Sequence, residues 1–299
     1  MRRGHGLRRI VLRTAPGVNI LSIQSHVAYG HVGNSAAVFA LQRLGVEVWP
    51  IHTVQLSNHT GYETSRGRAF DAAHIAELTL GLRERGALER CDGVLSGYIG
   101  SDGIGAAIVE AAGAVKRANP NAVYCCDPVI GDVGRGAFVS PEIAAFLRER
   151  AMPAADIVTP NHFELEQLTG RTVHSFVDAA AAIDALRARG PRVVLVTSLV
   201  TDETPADAID LVACDQTSRY RLRTPKLTVA AHGAGDAIAA LFLAHYLRSG
   251  SAAEALARAA ESIFGILKRT ADMGTAEMAL IEAQDELVNP SARFRAEPW

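Results

Sequence analysis

The sequence predicts an α/β fold, with a mostly parallel central sheet covered by helices on both faces. Three observations point there. Apolar runs of strand length alternate with helix-period segments along most of the chain. Runs such as VNILSIQ read as buried strands. Polar residues and glycines collect just past those runs, where open parallel sheets bind ligands.

Taken in order, Val18 to Gln24 is the first strand, and Asn34 to Leu44 is a helix ended by Gly45. Between them lies a polar, glycine-rich turn with Asn34 or Ser35 as the expected N-cap. Val46 to Val54 is the second strand and Asp71 to Arg85 a helix. Gly93 to Ser96 is a short strand, followed by a helix from about Ile104 to Arg117. Ala122 to Cys126 is a strand that enters Asp127-Pro128. Glu142 to Arg150 is helical and Asp156 to Val158 a short strand. Helices follow at His162 to Thr169 and Phe176 to Arg189, then a strand at Arg192 to Thr197. Shorter alternating segments at Ile209 to Cys214 and Arg219 to Leu222 suit an antiparallel pair. The remainder reads as three helices: Gly235 to Leu247, Ala252 to Lys268, and Glu277 to Leu287.

The 299 residues suit one domain over 18–299, preceded by a basic extension over 1–17 that is expected to be unstructured. Hydrophobic residues make up 48% and charged residues 21%, so a full core can form. A net charge of -2 gives no reason to expect nucleic acid or a membrane surface as partner. No apolar run is long enough to span a bilayer, and a cytoplasmic location is expected. Cys91, Cys125, Cys126 and Cys214 fit no zinc spacing and read as small buried hydrophobes of a reduced compartment. Lysine occurs only at Lys116, Lys226 and Lys268, which limits the side chains available to neutralise phosphate.

The most informative stretch is His232-Gly233-Ala234-Gly235-Asp236, which runs into the apolar pattern AIAALFLAHYL. Glycines permit a tight turn, and a helix start presents unpaired N–H groups and a positive dipole end to an anion. Asp236 adds a carboxylate at the lip, although an acidic residue in a first turn also suits the helix dipole without catalysis. Other candidates follow strands: Ser25, Asp127, Thr197, and the Asn161 to Glu164 segment. Asp127 can help to hold magnesium or can accept loop N–H groups. Asn161 and Glu164 have the spacing of a capping box, which competes with a metal role for Glu164. Ser57 to Tyr62 (SNHTGY) has the composition of a flap that folds over a small polar heteroaromatic ring.

In order and spacing, QSHVAYGHVGNSAA, SNHTGY, LSGY, CDPVIGD, TPNHFELE and GAGD resemble the pyridoxal kinases of the ribokinase-like superfamily. The resemblance runs from about Asn19 to the C-terminus and includes EAQDELVNP. GAGD is shared across the superfamily, whereas QSHV with SNHTGY narrows the substrate to vitamin B6.

The resemblance implies a three-layer α/β/α sandwich with a small flap over the substrate site. It implies ATP-dependent phosphorylation of the 5′-hydroxymethyl group of pyridoxal, with pyridoxine and pyridoxamine as related acceptors. Asp236 matches the catalytic base, and Gly233, Ala234 and Gly235 match the backbone anion hole. Ser25 matches a contact to the pyridine ring, and Thr60 a substrate contact, with His59 and Tyr98 close by. Asp127 and Glu164 match acidic positions at the ATP and Mg2+ site. Thr159 and Asn161 match residues near the phosphates or a monovalent cation such as K+, and Thr197 and Ser198 a nucleotide contact. Some bacterial relatives carry lysine where Thr197 stands, which leaves phosphate charge to magnesium, the helix terminus and Arg135. A homodimer is expected on the same grounds. The rival expectations are a kinase for hydroxymethylpyrimidine or another small alcohol, and a B6-binding protein without catalysis. A dinucleotide oxidoreductase is disfavoured because no GxGxxG follows the first strand.

Overall fold

The structure is a computed structural model that describes residues 17–229 and 232–299. The basic extension, apart from Gly17, and Ala231 lie outside the described residues.

The chain runs β1 (Asn19–Val27), α1 (Asn34–Arg43), β2 (Glu47–Leu56), β3 (Gly67–Ala69), α2 (Ala72–Glu84), β4 (Gly93–Ser96) and α3 (Asp102–Ala118). Next come β5 (Val123–Cys126), the small hairpin β6 (Gly131–Asp132) and β7 (Gly136–Ala137), α4 (Pro141–Phe146), α5 (Met152–Ala154) and β8 (Ile157–Val158). A π-helical turn, Leu147–Ala151, joins α4 to α5. The last part holds α6 (His162–Thr169), α7 (Phe176–Arg187), β9 (Val193–Leu199), β10 (Ala208–Cys214), β11 (Arg219–Pro225), α8 (Ala234–Ser249), α9 (Ala252–Met273) and β12 (Glu297–Pro298).

Ten strands form one sheet in the order β12-β11-β10-β9-β8-β5-β4-β1-β2-β3. The six from β9 to β2 are parallel, and the antiparallel pairs lie at the two edges. The chain leaves β1 for β2 on one side and resumes at β4 on the other, so the strand order reverses beside β1. Such a switch point opens a crevice at the carboxyl ends of the strands.

Strand side chains alternate between two cores, which makes the three layers. Leu21, Ile23 and Cys126 pack with α2, α3, α6 and α7, whereas Ile20 and Cys125 pack with α1, α8 and α9. All four cysteines are free and buried, as expected. Ala237 to Ala244 of α8 are all buried, because this helix lies between the sheet and the helices α1 and α9. Its many alanines permit that close approach, and Leu241, Phe242 and Leu243 each contribute about 1.5–3 kcal/mol by burial.

The antiparallel pairing of β10 with β11 agrees with the sequence. Glu277 to Leu287 does not form a helix; only Gln284–Leu287 makes a 3₁₀ turn. Met278, Ala279 and Leu280 are buried here in irregular chain rather than on one face of a helix. The Ala279 N–H donates instead to Thr270 Oγ1 on α9, at 2.9 Å.

Candidate active site

Gly233 caps α8 at φ +87°, and no side chain caps the first turn. The amides at the start of α8 therefore remain available to an anion. A Cβ at Gly233 would overlap the His31 carbonyl, so the GAGD turn lies backbone to backbone against the loop after β1. Asp236, in the first turn, lies near the backbone N–H of Gly33 in that same loop, which favours its charged form. Burial of the carboxyl pushes it up to about 6, although the residue as a whole keeps an exposed edge.

Asp127 follows β5 directly and is 5% exposed. Thr159 Oγ1, just past β8, donates to its Oδ1 at 2.8 Å. Burial, and then the charge of Asp236, holds the Asp127 carboxyl well above the ordinary carboxylate range. Glu164 is raised by the same two causes, burial first and the charge of Asp127 second. The capping box at the start of α6 is present: Asn161 Oδ1 accepts from the Glu164 N–H, and Glu164 Oε2 from the Asn161 N–H, both at 2.9 Å. Glu164 Oε1 takes the N–H groups of Ile130 and Gly131 at 2.9 and 3.4 Å. Asn161 Nδ2 donates to the Gly131 carbonyl at 2.8 Å, which ties the β5 and β8 exits together.

Thr197 lies inside β9 rather than past its end, and Asn161 bridges to it. Ser198, at φ +51°, is the only non-glycine residue of positive φ among the described residues. It falls where the β9–β10 register shifts, so an extra residue turns its exposed side chain at the carboxyl edge.

At the other end, Ser25 also lies inside its strand, because β1 continues to Val27. Its carbonyl and hydroxyl lie against Gly33, as the loop doubles back through a His26–Gly33 bridge. Neither Asn34 nor Ser35 caps α1; Gly33 occupies that position with no side-chain cap. Asn34 instead accepts from Ser22 Oγ at 2.7 Å and donates to the Ile51 carbonyl at 3.0 Å, joining β1 to β2 under the site. Ser35 Oγ donates to the Val27 carbonyl at 2.7 Å. Tyr98 follows β4 and is half-buried, and its carbonyl accepts from Thr53 Oγ1 at 3.1 Å.

SNHTGY leaves β2 as a loop that returns through β3. Ser57 and Arg66 close it: the Ser57 N–H donates to the Arg66 carbonyl at 2.6 Å and the Arg66 N–H to Ser57 Oγ at 3.0 Å. Thr60 is exposed near its tip. The His59 ring lies 4.0 Å, centroid to centroid, from that of His232, immediately before GAGD. His232 in turn approaches Arg135 of the β6–β7 turn at 3.4 Å. His232 and Glu277, which meets this loop from beyond α9, were not evident as site residues in the sequence.

The structure thus gathers Asp236, Asp127, Thr159, Asn161 and Glu164 at one end of a strand-edge cleft, with His59 over the GAGD turn. Among the described residues no three His, Cys, Asp or Glu side chains form a ready-made metal cage. No described helix is long and apolar enough to cross a membrane.

The family model described as phosphomethylpyrimidine kinase matches residues 90–280. The pyridoxal kinase PdxY of Granulibacter bethesdensis is 54% identical over 284 residues, which is 94% of this chain and 99% of that protein. Its namesake from Deinococcus radiodurans is 54% identical over 285 residues, covering 93% and 96%. Among solved structures, the pyridoxal kinase of Leishmania donovani in complex with ADP and pyridoxine is 31% identical at a TM-score of 0.87, with 94% of this chain and 99% of that one covered. On identity of this order over nearly its whole length, the chain belongs to the pyridoxal kinase family.

Proposed function

We propose that the protein transfers the γ-phosphoryl group of ATP to the 5′-hydroxymethyl group of pyridoxal, giving pyridoxal 5′-phosphate. The observation that carries this reading is Asp236 beside the uncapped start of α8, with Asp127 close enough to share its charge. Base and phosphoryl cradle therefore occupy one place. The relatives named above set the substrate class.

The 5′-oxygen attacks the γ-phosphorus while the bond to the β–γ bridging oxygen breaks and ADP leaves. Asp236 takes the hydroxyl proton. A carboxyl raised to about 6 is still mostly ionised at neutral pH, and it is a stronger base than an ordinary aspartate. The α8 amides face the charge that spreads over the phosphoryl oxygens, and Gly233 lets the backbone approach. Ser25 would contact the ring edge, with His59, Thr60 and Tyr98 enclosing it, and Thr197 and Ser198 would meet the nucleotide. The flap excludes water, which would otherwise compete for the phosphoryl group.

The donor set fits magnesium. Asp127 is a buried carboxylate whose side-chain partner is one threonine, and magnesium takes few protein ligands, with waters and phosphate oxygens for the rest. Asp127 would hold the ion, with Glu164 adding negative charge behind it, since backbone N–H groups already occupy both Glu164 oxygens. The ion, when bound, neutralises phosphate charge. Thr159 and Asn161 are the places for a monovalent cation such as K+. A homodimer, a cytoplasmic location and a single domain over 18–299 belong to the same proposal.

The test is formation of pyridoxal 5′-phosphate from pyridoxal and ATP, with and without magnesium, beside pyridoxine, pyridoxamine and hydroxymethylpyrimidine. Magnesium-dependent turnover that favours the B6 vitamers supports the reading. Turnover of hydroxymethylpyrimidine alone, or pyridoxal binding without ATP consumption, overturns it.

A further inference from the structure

Glu277 comes from the segment after α9 and is 15% exposed at the mouth of the site. Its Oε1 accepts from His59 Nε2 at 3.1 Å and from the Tyr62 hydroxyl at 2.6 Å, both on the flap. Its Oε2 accepts from the backbone N–H of His31 at 3.3 Å, in the loop after β1. One carboxylate thus joins two loops that are far apart in sequence. The His31 carbonyl in turn backs onto Gly233, and the His59 ring packs at a tilt against His232, so the contacts close a ring around the mouth.

Three details show that this ring is built for Glu277. The Gly61 N–H donates to His59 Nδ1 at 3.1 Å, which leaves the ring proton on Nε2, aimed at the carboxylate. Hydrogen bonding to Glu277 pushes the Tyr62 phenol up to about 12, so it stays a donor throughout the working pH range. Gly30, at φ +91°, lies so close under the carboxylate that any side chain there would collide with it.

We propose that Glu277 is a positioning residue: a latch that holds the SNHTGY flap closed against the loop after β1 and against the GAGD turn. It acts through His59 and Tyr62 and does not touch the reacting atoms. The flap shields the phosphoryl donor, so the latch sets how far ATP is committed to pyridoxal rather than to water. This rests on the kinase reading above.

The test compares Glu277→Ala and Glu277→Gln with the parent protein. Glu277→Ala should raise the pyridoxal KM on the order of tenfold, as loss of two charge-assisted hydrogen bonds on the closed flap predicts. The ATP KM should stay within about twofold, and ATP hydrolysis without pyridoxal should rise relative to transfer. Glu277→Gln keeps an acceptor oxygen and should restore most of the loss. Trypsin in the absence of substrate adds a readout independent of chemistry: cleavage after Arg66 and Arg68, exposed in the flap, should speed up in Glu277→Ala. Unchanged cleavage with an unchanged pyridoxal KM overturns the latch. A parent protein that makes no pyridoxal 5′-phosphate overturns the kinase reading instead, and the cleavage comparison still decides the latch.

Discussion

Two glycines of one motif should respond in opposite ways to the same substitution. At Gly233, φ is +87° and a Cβ would overlap the His31 carbonyl oxygen and reach within 3.2 Å of Val32 Cα. Left-handed backbone costs an L-residue about 1–2 kcal/mol. The overlap adds to this, because contacts under 3.0 Å do not survive and His31 is held by Glu277. Gly233→Ala should therefore lose about 2–3 kcal/mol, or roughly 3–5 °C in Tm for a chain of this size. The alternative to unfolding is displacement of the turn by on the order of 1 Å, enough to cost about a hundredfold in kcat where alignment is the catalysis. At Gly235 no atom lies within 4 Å of a built Cβ and the backbone is ordinary helix. Gly235→Ala should keep or raise Tm, since alanine gains up to about 1 kcal/mol over glycine in a helix. Its Cβ would stand in the open space before the α8 amides, so a rise in ATP KM is expected there. Thermal melts and steady-state kinetics on both variants decide the matter. Gly233→Ala with unchanged Tm and kcat would refute the close packing of the two loops.

Asp236→Asn should lower kcat by at least about a hundredfold and leave ATP affinity close to normal, as loss of a general base does; isothermal titration beside a turnover assay checks both. Ser25→Ala should raise the pyridoxal KM more than the ATP KM, and equal effects would count against a ring contact. Raised carboxyls make the folded protein the tighter proton binder. The stability contribution of Asp236 is therefore full below its unfolded pKa near ~4 and lost as pH rises through about 6, with Asp127 and Glu164 acting in the same sense. Magnesium held by Asp127 must compete with its proton, so its Tm gain should be larger at pH 8 than at pH 5; an equal gain would mean that the ion binds elsewhere.

Much of this architecture is legible in the sequence because its signals are local. The strand Gly93–Ser96 and the helix His162–Thr169 have the bounds that their residues suggest, and the Asn161–Glu164 capping box forms as spaced. Ser25 and Thr197 were displaced by a few residues, since β1 and β9 run on where register shifts bend them. Asn34 and Ser35 look like caps by type, but the buried polar floor between β1 and β2 claims their side chains. Glu277 is hidden for a stronger reason. It meets His31, 246 positions away, and it opens a segment whose apolar spacing imitates a helix. Periodicity reports a neighbour three or four residues along and is blind to a partner brought in by the fold.

The way this site handles phosphate charge follows from where its cations are. Lys116 pairs with Asp156 at 2.7 Å and Lys268 with Asp272 at 3.3 Å, so neither serves the GAGD turn. Thr197, inside β9, offers a hydroxyl rather than an ammonium. At the carboxyl edge burial raises the carboxyls of Asp127, Glu164 and Asp236, and the neighbouring charges of Asp236 and Asp127 add to the rise at Asp127 and Glu164. Arg135 is the basic side chain on the far side of the turn, and it approaches His232 rather than a carboxylate. Arg135 thus reaches the flap side through His232 and His59, while Asp127 and Asp236 lie near each other at the start of α8. On this arrangement the flap packs His59 against His232 just before the GAGD turn, which is why a carboxylate as remote as Glu277 can bear on that turn.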